Sequence, residues 1–568
     1  MKGEERVAVA LAAICALLLA ALWLTGAASA AIFGPGWTPP PAAELPGIAA
    51  HLLAHPGRPA AAWPPDMRRA IPDPVPFYLT AAMVCAVLAG AVTIALRAAR
   101  ELGVSGALDG RRRERAPASR WAAPRDLGGL RVSAPAPGRL TLGRSGRRLL
   151  AAEERGSVIA IAPTGAHKTT GLAIPALLEW QGPVLATSVK SDLVRDTLAR
   201  RRGLGEVMVF DPAQVTGLPS ARSTPLWGAR TWRGAMRLSH WLTAAARVGS
   251  SGMQDADFWF QAAEKLISPL LLAAATGELT MSEIVRWLDE GPEASEEEVL
   301  GLLRGAECAD AERAYMATQN REERQRSSIY TTAEMTLAAY ADPRVAEESA
   351  AADYSPTALL DGRANTLYLC APQHEQERLR TIFSTIIQEL LAVVYETVAT
   401  TGRPLNPPLL LLLDEAANIA PIPNLDEIAS TAGGQGVQLL SVFQDISQIS
   451  ARYQRRAATI VNNHRAKVFG SGISDPETLD YVARIVGAGE FEQRSRTDGE
   501  RGRASTTEGE TYRDLLPPAL LRSALPGNAI LLYGHLPPAR IRLRPWFHEA
   551  SLRSMRDQGA GDRQVRQS

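Results

Sequence analysis

Five side chains stand out by type and place: Lys168, Thr169, Asp414, Glu415 and Gln444. The first two close the stretch 157-SVIAIAPTGAHKTTG-171, where the β-branched run Val158–Ile161 gives way to Pro163-Thr164-Gly165 and then Lys168-Thr169-Thr170. This is nearly the G-x-x-x-x-G-K-[ST] loop that holds nucleotide phosphates on its backbone N–H groups. Both glycines of that pattern are missing, with Ala162 in the first slot and His167 in the second. The remaining three residues end two apolar runs, LLLLLDE (409–415) and VQLLSVFQ (437–444). Either signal alone is weak, since apolar strands often end in acids and near-matches to a phosphate loop arise by chance. Their order along one chain is what gives them weight.

The chemistry they could share is phosphoryl transfer from ATP. Backbone N–H groups across Thr164, Gly165, Ala166, His167, Lys168, Thr169 and Thr170 would cradle phosphates at a helix N-terminus. Lys168 would set a mobile positive charge on the β- and γ-phosphates. The Thr169 hydroxyl and Asp414 would hold Mg²⁺. Glu415 would orient and polarise the attacking water, and Gln444 would sense the γ-phosphate. Glycine in the second slot avoids a Cβ and permits a positive φ. Histidine is among the residues that adopt positive φ more readily than most, so His167 is compatible with binding.

Such residues need a scaffold that brings strand ends together. VIAIA, PVLATS (183–188) and EVMVFD (206–211) are short apolar runs separated by helical segments that start after Lys168 and near Ser191. Strand–helix alternation of this kind predicts a parallel sheet covered on both faces. Strands return at NTLYLCAP (365–372), LLLLLDEAANIA (409–420), VQLLSVFQ and AKVFGSGI (466–473), with a long amphipathic helix at 375–400 and a terminal hairpin in 528–547. Ligands bind beyond the carboxyl ends of such strands. The predicted fold is therefore α/β, a RecA-like P-loop ATPase domain with a parallel-rich sheet. Residues 233–345 carry helical periodicity with few strand signals and are read as an all-α inserted domain with its own core. The ATPase domain then spans 128–232 and 346–548, with short strands near 128–150 and a disordered tail at 549–568.

Two further segments have no charge: residues 7–31 and 77–96. Each is about long enough to cross a hydrocarbon core of roughly 30 Å. They predict two N-terminal transmembrane helices, within 1–31 and 77–96, around an extracytoplasmic loop at 32–76. A cleaved signal peptide is the alternative for residues 1–30, given Ala28-Ser29-Ala30. Residues 97–127 form a basic juxtamembrane linker with Arg97, Arg100, Arg111, Arg112, Arg113, Arg115, Arg120 and Arg125, whereas the loop holds only Arg58, Arg68 and Arg69. The asymmetry places 97–568 in the cytoplasm of a multi-pass plasma-membrane protein. Anionic lipid headgroups are the simplest partner for the arginines. With 61 basic and 60 acidic residues, the whole chain has no charge bias toward nucleic acid. The four cysteines, Cys15, Cys85, Cys308 and Cys370, lie too far apart in sequence for metal-ligand spacing and suit a reduced compartment.

Three stretches carry a closer likeness: 162–193, 409–453 and 462–487, above all DEAANIAPIPNLDEI and GPVLATSVKSDL. They resemble the coupling proteins of type IV secretion and conjugation, the TraG/TraD-like family, with 255–281 similar to actinobacterial members. The resemblance implies a membrane-anchored homo-hexameric ATPase using ATP and Mg²⁺. It would pass single- or double-stranded DNA, with an attached relaxase or other protein cargo, to a secretion channel. It also implies that the helical insert helps recognise cargo. By position Lys168 and Thr169 match the family's Walker A pair, Asp414 and Glu415 its Walker B pair, and Gln444 its next motif. At Gly433-Gly434 relatives often carry an arginine thought to reach the neighbouring subunit's γ-phosphate; here it would come from elsewhere, Arg452 or Arg465, or be absent. The departures at His167 and Gly433 motivate a different function, a membrane receptor that binds nucleotide and docks cargo without turnover. A third, an FtsK-like double-stranded DNA pump, is disfavoured by DEAANIAPIPNLDEI.

Overall fold

The computed structural model describes residues 3–33, 42–101, 119–248, 256–498 and 504–565, with side chains described except at 3–17, 91–101, 491–511 and 559–565. It divides into two compact units, Met1–Ala116 and Pro117–Ser568. In the first, helices Gly3–Phe33 and Pro74–Glu101 pack together, and the segment between them folds back with a short helix, Leu45–Ala54. Trp63 is buried with Ile48, Ile71 and Phe77, its ring against Gly26, where any Cβ would collide with it. The loop expected at 32–76 is thus partly a small folded cap. Both predicted spans fall inside the two long helices. The helix Gln376–Thr401 is also long and apolar enough to cross a membrane, but it is largely buried and belongs to the second unit's core.

The second unit is built on one large sheet. Its strands are β1 (Arg131–Val132), β2 (Thr141–Ser145), β3 (Arg148–Ala151), β4 (Val158–Ile161), β5 (Val184–Ser188), β6 (Val207–Phe210), β7 (Thr366–Cys370), β8 (Leu409–Leu413), β9 (Val437–Phe443) and β10 (Ala466–Gly470). A separate hairpin, β11 (Ala488–Asp498) and β12 (Ala504–Asp514), precedes the last two sheet strands, β13 (Asn528–Tyr533) and β14 (Ala539–Arg542). The sheet order is β1-β3-β2-β14-β13-β10-β4-β9-β8-β5-β7-β6. From β10 to β6 neighbouring strands run parallel, and from β13 to β1 they pair antiparallel. This is the mixed, mostly parallel RecA-like architecture anticipated from the strand–helix alternation.

Side chains along each central strand alternate between two cores, as the period of two requires. Leu409, Leu411 and Leu413 of β8 enter the larger core, and Leu410 and Leu412 the other. All five are fully buried, which is why the run carries no polar residue until Asp414. The larger core continues without a break into the helices from Trp232 to Glu348. The insert was expected to have its own core; it shares one with the sheet instead. Its helix Trp232–Arg247 packs on the core helix Gln376–Thr401, so its apolar stripe is spent on the ATPase body.

Three boundaries differ from the sequence reading. The linker at 97–127 begins as helix up to Glu101 and ends as packed chain, with Leu127 buried, Ser119 N–H on Ala488 O at 2.9 Å and Ala122 N–H on Pro538 O at 2.8 Å. Arg111, Arg112, Arg113 and Arg115 lie outside the described residues. Within the tail at 549–568, expected to be disordered, Ala550–Val565 is helical. Leu552 is fully buried in the second core, and Arg556 pairs with Asp196 at 3.3 Å and stacks over Trp546 at 4.5 Å. The Asp196 partner lies hundreds of positions away, so the local sequence does not announce this docking. The β11–β12 hairpin was not anticipated, because its polar strands carry no apolar alternation.

Candidate functional site

The phosphate-loop stretch leaves β4 at its carboxyl end and turns into a π-helical segment, Thr169–Ala173, that continues as helix Ile174–Glu179. The turn is made by two residues in the left-handed region, Gly165 (φ 87°) and His167 (φ 65°). Histidine thus adopts the positive φ that glycine takes in the common pattern. Its Nδ1 shares a hydrogen bond of 3.0 Å with the Thr170 hydroxyl, and its carbonyl accepts from Gly171 N–H at 2.8 Å. Ala162, the other substitution, is accommodated by Gly470 at the end of β10, where a Cβ would sit 2.6 Å from the Ala162 Cβ. Among the described residues, the N–H groups of Gly165 and His167 meet no backbone carbonyl within hydrogen-bonding reach, which suits an anion cradle.

Asp414 and Glu415 follow β8, and Gln444 follows β9, which lies directly between β4 and β8. Parallel strands place all three ends on one rim. Thr169 Oγ1 donates to Asp414 Oδ2 at 3.0 Å, across 245 positions of sequence. The Thr187 hydroxyl of β5 donates to the Asp414 carbonyl, also at 3.0 Å. Burial pushes the Asp414 carboxyl up to about 6; the Thr169 hydrogen bond opposes this and the Glu415 charge adds to it. Lys168 donates its ammonium to the Ala162 carbonyl. Burial pulls its pKa down, while Glu415, Asp414 and Asp445 hold it up.

Glu415 is itself in the left-handed region, at φ 60°. Backbone strain of this kind persists where the surroundings fix it and clusters at functional sites. Here the Glu415 carbonyl accepts from the N–H groups of Asn418 (2.9 Å) and Ile419 (3.1 Å). Its carboxylate accepts from Gln444 Nε2 at 3.1 Å and from Asn418 Nδ2 at 3.2 Å. Gln444 is in turn fixed by its own N–H donating to Gln448 Oε1 at 3.0 Å. Asn418, Thr187, Asp445 and Gly470 were not singled out from sequence. Asn418 lies in the DEAANIA stretch quoted above, and Thr187 in PVLATS, so proximity to the motifs was their one signal. Gly470 gave none, because its partner Ala162 is distant in sequence.

Gly433 cannot carry an arginine in this fold, since its Cα faces the Arg155 carbonyl so closely that a Cβ would collide; Gly434 is open. Arg465 sits at the amino end of β10, on the opposite rim, tied to Glu153 at 2.7 Å. Arg452 is half-buried in helix Ile446–Tyr453, which follows Gln444.

A hydroxyl and a carboxylate oxygen held together are hard oxygen ligands of the kind Mg²⁺ takes. Among the described residues no group of three or more His, Cys, Asp or Glu forms an all-protein metal cage. Mg²⁺ relies on one or two carboxylates plus substrate phosphates, and this hydroxyl–carboxylate pair can supply the protein's share. The residues present therefore fit a Mg·triphosphate.

Sheet, loop and acidic rim together define a protein of the RecA-like P-loop fold. The family described as type IV secretory system conjugative DNA transfer matches residues 133–567, and the chain belongs to it. It is 24% identical to protein VirD4 of Rhizobium rhizogenes over 70% of this chain and 59% of that protein. It is also 24% identical to conjugal transfer protein TraG of Escherichia coli over 64% of this chain and 60% of that one. The chain thus spans about three fifths of the length of these curated relatives. Among solved structures, the unbound bacterial conjugative coupling protein TrwB shares the fold with a TM-score of 0.58 at 18% identity, covering 75% of this chain and 92% of that one. TrwB in complex with ADP and Mg²⁺ gives a TM-score of 0.55 at 17% identity, covering 75% and 93%.

Proposed function

We propose that this chain is a membrane-anchored ATPase that recruits DNA or nucleoprotein and drives it into a type IV secretion or conjugation channel. The observation that carries the reading is the meeting of Thr169 and Asp414 beside Lys168, on the rim that also holds Glu415 and Gln444. Family membership and the nucleotide complexes of TrwB support it. Helices of 31 and 28 residues in the first unit have the length to cross a bilayer of roughly 30 Å at 1.5 Å per residue. In this reading they anchor residues 97–568 at the cytoplasmic face of the plasma membrane, and the working particle is a homo-hexamer.

In the proposed cycle the N–H groups of Thr164–Thr170 bind the phosphates, and Thr169 with Asp414 would hold Mg²⁺. The bound metal supplies charge neutralisation on the phosphate oxygens. Lys168 leaves the Ala162 carbonyl for the phosphates. Glu415 aligns a water and takes up its proton on the carboxylate that Gln444 and Asn418 hold in place. Gln444 donates to that carboxylate from the end of β9, so a change at Glu415 reaches the strand beside the cradle.

The test is ATP turnover by the full chain in detergent micelles. Turnover stimulated by DNA and lost in Lys168→Ala supports the translocase, and DNA affinity should fall steeply with salt as counterions are released. A second reading, a nucleotide-binding receptor without turnover, draws on Gly433, where backbone contact excludes an arginine. ATP binding without turnover on any DNA would favour it.

A further inference from the structure

The segment after the last sheet strand, Leu543–Glu549, is not used by the cycle above, yet it lies against the phosphate loop. Arg544 N–H donates to the Gly171 carbonyl at 3.1 Å, and Leu543 approaches Gly171 so closely that a Cβ there would come within 3.0 Å. The segment is clamped by a buried ion-pair cluster. Arg544, 3% exposed, pairs with Glu179 at 2.8 Å and with Glu549 at 2.7 Å, and Glu549 also pairs with Arg144 at 2.7 Å. Between the clamped ends runs Trp546-Phe547-His548. Arg556 covers the Trp546 ring, whereas Phe547 is 36% exposed, with its ring centroid 5.9 Å from that of His167 in the cradle.

The sheet order decides what this ring faces. The acids and Gln444 come from β8 and β9, on one side of β4, and the aromatic turn follows β14, on the other side. A triphosphate across the cradle, with its γ end toward Glu415, leaves its nucleoside end toward Thr170, Gly171 and the aromatic turn. We propose that Phe547 is the base-stacking shelf of the site, and that the ion-pair clamp on Arg544 and Glu549 holds it in place before nucleotide arrives. This deepens the nucleotide reading above and rests on it. Stacking uses a π-face that every base has and needs no edge-specific hydrogen bonds. The shelf thus accepts nucleoside triphosphates as a class and discriminates weakly between ATP and GTP.

The experiment compares dissociation constants of Mg·ATP, Mg·GTP and Mg·tripolyphosphate, the last lacking a base, for the full-length protein and its Phe547→Ala and Phe547→Trp variants. Phe547→Ala should weaken both nucleotides about tenfold, leave tripolyphosphate within twofold, and be rescued by Phe547→Trp. Equal weakening of all three ligands would mean that the substitution only disturbs the loop and would overturn the shelf. No weakening of any ligand would overturn it as well, as would a ring covered by another copy of the chain. Lys168→Ala separates the two readings: it must weaken all three ligands, and if it weakens none the nucleotide reading itself falls.

Discussion

His167 occupies the left-handed region at φ 65°, with a hydrogen bond to Thr170 and a ring contact with Phe547. A non-glycine residue there costs roughly 1–2 kcal/mol. In His167→Gly the relief of that strain offsets the lost side-chain contacts, so the urea midpoint should shift by less than about 1 kcal/mol equivalent. His167→Val, β-branched at a positive φ, should lose both stability and Mg·ATP binding. Asp414 gives a pH prediction. Its folded-state value, about 6, lies above the ordinary 3.8, so the buried carboxyl is neutral at pH 5 and ionised at pH 7. In the metal-free protein its stabilising contribution is complete below 3.8 and is lost as pH rises through 6. Metal binding needs the ionised form, so the trend reverses with ligand. The Mg²⁺ concentration for half-maximal ATP binding should rise roughly tenfold per pH unit below 6 and level off above 7. In Asp414→Asn that pH dependence should vanish together with most of the Mg²⁺ affinity.

At the scale of elements, two buried ionisable groups define how helices meet the sheet. Arg201, fully buried at the end of helix Ser191–Leu204, donates to the carbonyls of Trp180 (2.5 Å), Gly182 (2.8 Å) and Ala364 (2.9 Å) and to Thr366 Oγ1 (2.7 Å). It satisfies the chain ahead of β5 and β7. Arg201→Met leaves these acceptors buried and unpaired and should cost about 3 kcal/mol or more, read from urea unfolding. Glu389, on the core helix Gln376–Thr401, is raised by burial from 4.5 to about 8. It is held neutral in the fold, so stability is lost as pH climbs from 4.5 to 8. Glu389→Gln should melt with the wild type at pH 5 and above it at pH 8. The strands that carry the site were readable because β8 and β9 are buried on both faces and then stop at Asp414 and Gln444. Arg201 was not readable, since its acceptors are backbone carbonyls, and neither was the final helix, held by Leu552 and the Arg556–Asp196 pair. The β11–β12 hairpin shows the limit from the other direction, with regular backbone on a sequence that has no apolar face to signal it.

At the scale of the whole molecule, the second unit gathers five side chains on one rim of its large sheet. The helical insert shares the core on which β8 and β9 rest, so strain at Glu415 has a packed path into it. Gly433 and Gly434 differ in what a side chain there would meet. Gly433→Arg should unfold the second unit or lower its melting temperature sharply through the clash with Arg155, whereas Gly434→Arg, facing open space, should fold as the wild type does. The most direct check of the central claim is a structure of the full chain with Mg²⁺ and a non-hydrolysable ATP analogue. The prediction is phosphates on the N–H groups of Thr164–Thr170, the metal on Thr169 with Asp414 beside it, and Glu415 facing the γ-phosphate. Nucleotide bound away from that rim, or Asp414 and Glu415 turned away from a triphosphate that Lys168 holds, would contradict it.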